Sequence, residues 1–126
     1  MKTTTCILTL FVALLSAGCS SSTEEPTEPK ILSEPSELSN SRFAVNAVQL
    51  MWKDNSNSED SFAIERRRGS AKFTQVLFVP SDVTVAIDSI GLTPDSTYTY
   101  RVRALRFIET SPFSNTTSID LSLPFP

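Results

Sequence analysis

The sequence predicts an all-β domain, a sandwich of seven short strands, set behind a separate N-terminal address and spacer. Three observations carry that reading. Apolar and polar residues alternate with a period of two, as in Val48-x-Leu50-x-Trp52 and Tyr98-x-Tyr100-x-Val102-x-Ala104, the pattern of a strand with one buried face. Clusters rich in Asp, Asn, Ser and Pro divide these runs at the spacing of a sandwich. Beyond the first nineteen residues no stretch repeats its apolar residues with a helical period.

Residues 1–18 read as a cleaved signal peptide. Lys2 supplies a positive start, and Ile7 to Ala17 form a mostly apolar run of eleven. That length suits a signal-peptide core and falls short of the roughly 20 residues a membrane-spanning helix needs. Small residues Ser16, Ala17 and Gly18 then lead into Cys19. The stretch Leu15-Ser16-Ala17-Gly18-Cys19-Ser20-Ser21-Ser22 resembles the lipobox of bacterial lipoproteins. It departs from that pattern in placing leucine four residues before the cysteine, with Ser16 three before it. The resemblance implies cleavage before Cys19, a diacylglycerol on its thiol and an N-linked acyl chain such as palmitate. Two or more acyl chains give stable anchoring where one does not. Ser20, rather than Asp, follows the cysteine, and by the family's sorting pattern this implies the outer membrane of a two-membrane envelope.

Residues 19–35 hold the lipidated cysteine and a Ser-, Glu- and Pro-rich tether. The segment has few apolar residues, so its composition predicts disorder. Its sixteen residues from Ser20 span at most about 55 Å, or roughly 20–25 Å as a flexible coil.

The domain itself is expected over residues 36–121, with 122–126 a short tail. An edge strand near Glu37 to Phe43 comes first, then Val48 to Trp52. Asp54 to Asp60 is a turn cluster without an apolar residue. Phe62 and Ile64 mark the third strand, and Phe73 to Val79 the fourth, closed by Pro80-Ser81-Asp82. Val83 to Ile87, Thr97 to Leu105 and Asn115 to Leu121 complete the seven. Four stretches are similar to the fibronectin type III family, in that family's order: Val48-x-Leu50-x-Trp52 with Asp54-Asn55-Ser56; Glu59 to Arg66; Leu92-Thr93-Pro94 through Ala104; and Ser111-Pro112-Phe113-Ser114-Asn115. The resemblance implies an immunoglobulin-like sandwich with Trp52 in the core. It also implies that Tyr98 forms a tyrosine corner, its hydroxyl bonded to nearby backbone. The chain departs from the family in holding one extra residue between Asp88 and Leu92. It also lacks the usual Asn and Gly after Ala104, reading Leu105-Arg106-Phe107-Ile108-Glu109-Thr110.

Composition removes several function classes. There is no histidine, and both cysteines, Cys6 and Cys19, lie before the tether. The domain therefore has no disulfide, no thiolate chemistry and none of the commonest general bases. The chain carries 11 basic and 14 acidic residues, a net charge of −3, which gives no reason to expect a nucleic-acid partner. Neither a cofactor nor a metal is expected. Asp54, Ser56, Ser58, Asp60 and Glu65 mimic calcium-loop spacing, but Glu59 stands where the sharp turn needs glycine. Asp54 and Glu59 as a hydrolytic carboxylate pair would need a cleft that a protruding turn does not offer.

The candidate ligand-binding residues are Arg66, Arg67, Arg101, Arg103 and Phe107. With Arg68 and Lys72, the arginines gather cations on neighbouring strands of an otherwise acidic chain, suited to a sulfated or acidic glycan, a lipopolysaccharide phosphate or an acidic protein patch. The competing reading is a solvated face that discourages strand pairing. Phe107 and Ile108 are expected at the tip of the last hairpin, either as contact points or folded onto the core. The expected function is a non-enzymatic, monomeric binding or adhesion module, held at the bacterial cell envelope through Cys19 and presenting the domain to a protein or glycan. A periplasm-facing accessory lipoprotein docked to a larger envelope complex is the alternative.

Overall fold

The computed structural model describes residues 26–126. The expected signal segment 1–18, Cys19 and the first part of the tether lie outside the described residues. Eight strands follow in order: β1 Ser36–Ala44, β2 Ala47–Lys53, β3 Ser61–Arg68, β4 Thr74–Pro80, β5 Val85–Asp88, β6 Thr97–Arg106, β7 Glu109–Thr110 and β8 Thr117–Asp120. They form two antiparallel sheets, β1-β2-β5 and β4-β3-β6, with β7 and β8 sharing the far edge of β6. The all-β sandwich is thus as expected. The seven anticipated strands correspond to β1–β6 and β8. The two-residue β7 carries no apolar residue and leaves no alternation to detect.

The core lies between the sheets where the alternating faces meet. Val48, Leu50 and Trp52 of β2 face Phe62 and Ile64 of β3 and Tyr98, Tyr100, Val102 and Ala104 of β6, all buried. Trp52 meets Phe62 edge-to-face, with ring centroids 5.6 Å apart, an arrangement that adds about 0.5–1.5 kcal/mol beyond burial alone. The tyrosine corner is present: the Thr93 amide donates to Tyr98 Oη at 3.0 Å. The extra residue before Leu92 is taken up locally. Gly91 adopts a φ of 67°, Ile90 loops outward, and its amide donates to Asp88 Oδ1 at 3.2 Å.

Between β7 and β8 the edge of β6 is covered by side chains. The Ala104 amide donates to Ser111 Oγ at 2.9 Å and the Val102 amide to Ser114 Oγ at 3.0 Å. The Ser111 and Ser114 amides return bonds to the same two residues' carbonyls. Two serines thus complete the pairing around Pro112, which has no N–H to offer, and Phe113 is thrown onto the outer sheet face.

The tether differs from its expectation before it reaches β1. Asn57 alone makes three bonds to it: its Oδ1 accepts from the Ile31 amide at 2.7 Å, its amide donates to the Ile31 carbonyl at 3.1 Å, and its Nδ2 donates to the Pro29 carbonyl at 3.2 Å. Ser33 and Ser56 bond reciprocally as well, and Pro35 is fully buried. Residues 29–35 therefore form a strap along the 54–58 loop. Polar loop residues hold the strap by its backbone, and Leu32 and Pro35 tuck it against the core. The C-terminal tail is also engaged. Arg42 donates to the Leu123 carbonyl and lies 5.7 Å from the centre of the Phe125 ring.

Candidate functional site

Strand alternation decides which of the candidate arginines share a face. Along β3, Phe62, Ile64 and Arg66 point inward, while Ala63, Glu65 and Arg67 point outward. Along β6, Arg101 and Arg103 point outward. The register sets Glu65 opposite Arg101, Ala63 opposite Arg103 and Arg67 opposite Thr99. Arg67, Arg101 and Arg103 therefore come together on the outer face of the larger sheet, and Arg66 does not.

Two phenylalanines turn these three cations into a stack. Phe73 comes from the β3–β4 connection and Phe113 from the serine-lined edge. Arg67 lies over Phe73 at 4.8 Å from the ring centre and Arg101 at 4.1 Å. Arg101 also lies over Phe113 at 3.6 Å, and Arg103 over the same ring at 4.6 Å. The order across the face is Arg67, Phe73, Arg101, Phe113, Arg103. Each ring attracts the guanidinium above it, by roughly 0.5–1 kcal/mol where exposed and more where water is excluded. The Nε atoms of all three arginines are buried and without a hydrogen-bond partner. Arg101 pairs with Glu65 at 3.2 Å. Among the described residues Arg67 and Arg103 have no carboxylate partner, so the stack keeps an excess of positive charge. It holds the guanidinium planes fixed before any partner arrives.

Arg66 takes a structural place instead. Its Nη1 lies 2.7 Å from Asp88 Oδ2 and 2.9 Å from the Ile90 carbonyl. Tyr100 Oη donates to the same Asp88 oxygen at 2.9 Å. Asp88 is fully buried, so Arg66 and Tyr100 clasp a carboxylate that joins the two sheets. Burial first, and then the Asp88 charge, pushes the Tyr100 phenol far above its ordinary value, which keeps it a donor. Arg66 still forms one wall of a cleft of about 240 Å³ at the β3–β4 hairpin, lined with Arg67, Arg68, Lys72, Gly91 and Tyr98. Four cations around a shallow opening suit holding an anion.

Phe107 stands apart from the stack. It opens the two-residue loop between β6 and β7, with φ at 53°. It is 90% exposed, and Ile108 beside it 96%, so the tip does not fold onto the core. The acidic loop also departs from its spacing. Glu65 faces Arg101 on the sheet, Asp60 Oδ2 accepts from the Phe107 amide at 2.7 Å, and Ser58 Oγ donates to the Ile31 carbonyl. The calcium-like positions are thereby scattered. Asp54, Glu59 and Asp82 instead approach within 4.8 Å of one another. Burial, then the Glu59 and Asp82 charges, holds the Asp54 carboxyl above its ordinary value, against the bond it accepts from the Ser56 amide.

Sequence reasoning found the cations and missed what organises them. Phe73 passes as the first residue of a strand, and Phe113 sits in a motif whose other members are edge-forming. Their only signal is position: each flanks an outward-facing run of arginines.

No protein-family model and no curated protein matches the chain in sequence. Solved structures do match in fold. A Fn3-like protein from Clostridium thermocellum aligns with a TM-score of 0.58 at 19% identity, over 69% of this chain and 90% of that one. The FN1–FN3 domains of chicken CNTN1 align at 0.62 and 18%, over 71% of this chain and 32% of that one. A β-1,2-glucanase from Parabacteroides distasonis aligns at 0.61 and 18%. That match covers 71% of this chain but 12% of the glucanase. At these identities the likeness is one of fold, a fibronectin type III-like sandwich.

Proposed function

We propose that the chain is a non-catalytic binding module, anchored by lipid at Cys19 to a bacterial cell envelope, that presents its arginine–phenylalanine face to an anionic glycan or an acidic protein surface. The observation that carries the reading is the stack itself. Three guanidinium groups are fixed against Phe73 and Phe113 on an open sheet face, Arg101 between the two rings and Arg67 and Arg103 on either side, and two of them lack a carboxylate partner. Fixed arginines lose little side-chain freedom on binding, and their planar donors match sulfate, phosphate and carboxylate. The cleft beside Arg68 and Lys72 extends the same positive surface toward the β3–β4 hairpin. The lipobox resemblance supports the anchor and an outer-membrane location.

Heparin-agarose tests the face directly. The acidic chain should be retained at low salt, and the Arg67→Gln/Arg103→Gln variant should elute at clearly lower salt. Elution of both proteins together would remove the anionic-partner reading, because neither residue pairs with a carboxylate inside the domain.

A further inference from the structure

Phe107 and Ile108 are the most exposed large apolar residues of the domain. Their setting is specific. A positive φ at the first loop position of a two-residue hairpin is where glycine is favoured, yet a phenylalanine holds it. The hairpin is tied to the strap by which the chain reaches the domain. Arg106 Nη1 donates to Ser58 Oγ, and Ser58 Oγ donates to the Ile31 carbonyl. Ile31 is itself 46% exposed. Three apolar side chains thus project from one end of the sandwich, the end where the N-terminal segment arrives.

The length of chain before that point says what this end faces. Nine residues, ten residue steps, separate Cys19 from Pro29. They reach at most about 35 Å, and roughly 15–20 Å as a coil. A domain held this closely by a lipidated Cys19 meets the bilayer with the strap end first. The groups beside the tip are already satisfied: Arg106 pairs with Glu109 at 2.6 Å, and Asp60 takes the Phe107 amide. Asp54, Glu59 and Asp82 sit at the same end, so a net positive attraction to acidic lipid is not the driving force. The match is apolar, to the acyl boundary of a neutral bilayer.

We propose that the Phe107–Ile108 tip, with Ile31, inserts into the lipid surface that holds Cys19 and so fixes the orientation of the domain. This rests on the lipid-anchored reading above. A second, weak apolar contact suffices, because the tether raises its effective concentration at the membrane. The basic cleft, at the far end of the ten-residue β6, then stands roughly 30 Å out from the bilayer and faces away from it.

The test uses the full mature protein in phosphatidylcholine vesicles. Acylation of Cys19 would leave it without a free thiol, so Ile108→Cys can be labelled uniquely with an environment-sensitive nitrobenzoxadiazole probe. Ser70→Cys, exposed on the β3–β4 turn at the opposite end, serves as the control. The Ile108 probe should shift to the blue and be quenched by lipids carrying a nitroxide on the acyl chain, while the Ser70 probe stays in water. An Ile108 probe as wet as Ser70, in protein whose mass shows the acyl chains, would overturn the insertion and leave the anchor standing. A mass without acyl chains would overturn the anchor, and the insertion with it. A blue shift that needs no lipid and grows with protein concentration would overturn insertion in favour of a second copy at the tip.

Discussion

Asp88 is a charge without water, and two residues account for its tolerance. Arg66 supplies the countercharge and Tyr100 a hydroxyl donor. Removing one partner of a buried pair typically costs about 3–5 kcal/mol, because the other is left uncompensated. Asp88→Ala should therefore lower the unfolding free energy by about that amount, read by urea denaturation. Replacing Asp88 and Arg66 together by apolar residues should recover most of it. Asp54 is the opposite case, a carboxylate that the fold disfavours in its charged form. Its raised folded pKa means that the folded state binds the proton more tightly. Stability from this group is full below the ordinary carboxylate value of 3.8 and is lost as pH rises through the raised one. Asp54→Asn keeps the acceptor for the Ser56 amide and drops the charge. It should raise the melting temperature at pH 7 and leave it unchanged near pH 3. Equal gains at both pH values would point to packing rather than charge.

At the scale of elements, alternation was readable and exceptions to it were not. The inward residues of β2, β3 and β6 followed from a period of two. Arg66 obeyed that period as well, which is why it lies apart from Arg67 and Arg101, although its charge invited grouping it with them. Phe73 and Phe113 belong to connections, where no period operates, and so the stack could not be assembled from the sequence. The β6–β7 hairpin shows a related limit. The missing Asn and Gly after Ala104 signalled an irregularity but not its form, a phenylalanine held at positive φ. Such a conformation costs about 1–3 kcal/mol for a residue with a side chain, part of which glycine's larger entropy loss would offset. Phe107→Gly should accordingly raise stability by about 1 kcal/mol in chemical denaturation, while removing half of the exposed tip. No gain would mean that the loop relaxes its backbone around the phenylalanine.

Across the whole molecule, the sandwich and its core were legible because burial is written in side-chain type. The strap was not, because most of its ties are backbone and amide bonds that composition does not record, and its two inward residues, Leu32 and Pro35, are too few to form a pattern. Asn57 brackets Lys30 by bonding to Pro29 and Ile31. Trypsin should cut the folded protein after Lys30 slowly, and Asn57→Ala should speed that cut several-fold without changing the melting temperature by more than a few degrees. Equal rates would show the strap to be open in solution. The first and last strands also meet, side by side rather than in a backbone ladder. Asn115 exchanges bonds with both the amide and the carbonyl of Leu38, and Asn40 reaches Thr117. These contacts run in the same direction along the two strands, and the chain arrives at one end of the sandwich and leaves at the other. A pull between the two termini would thus load the contacts in shear, all at once. Such a module resists traction better than one whose strands can be peeled apart bond by bond.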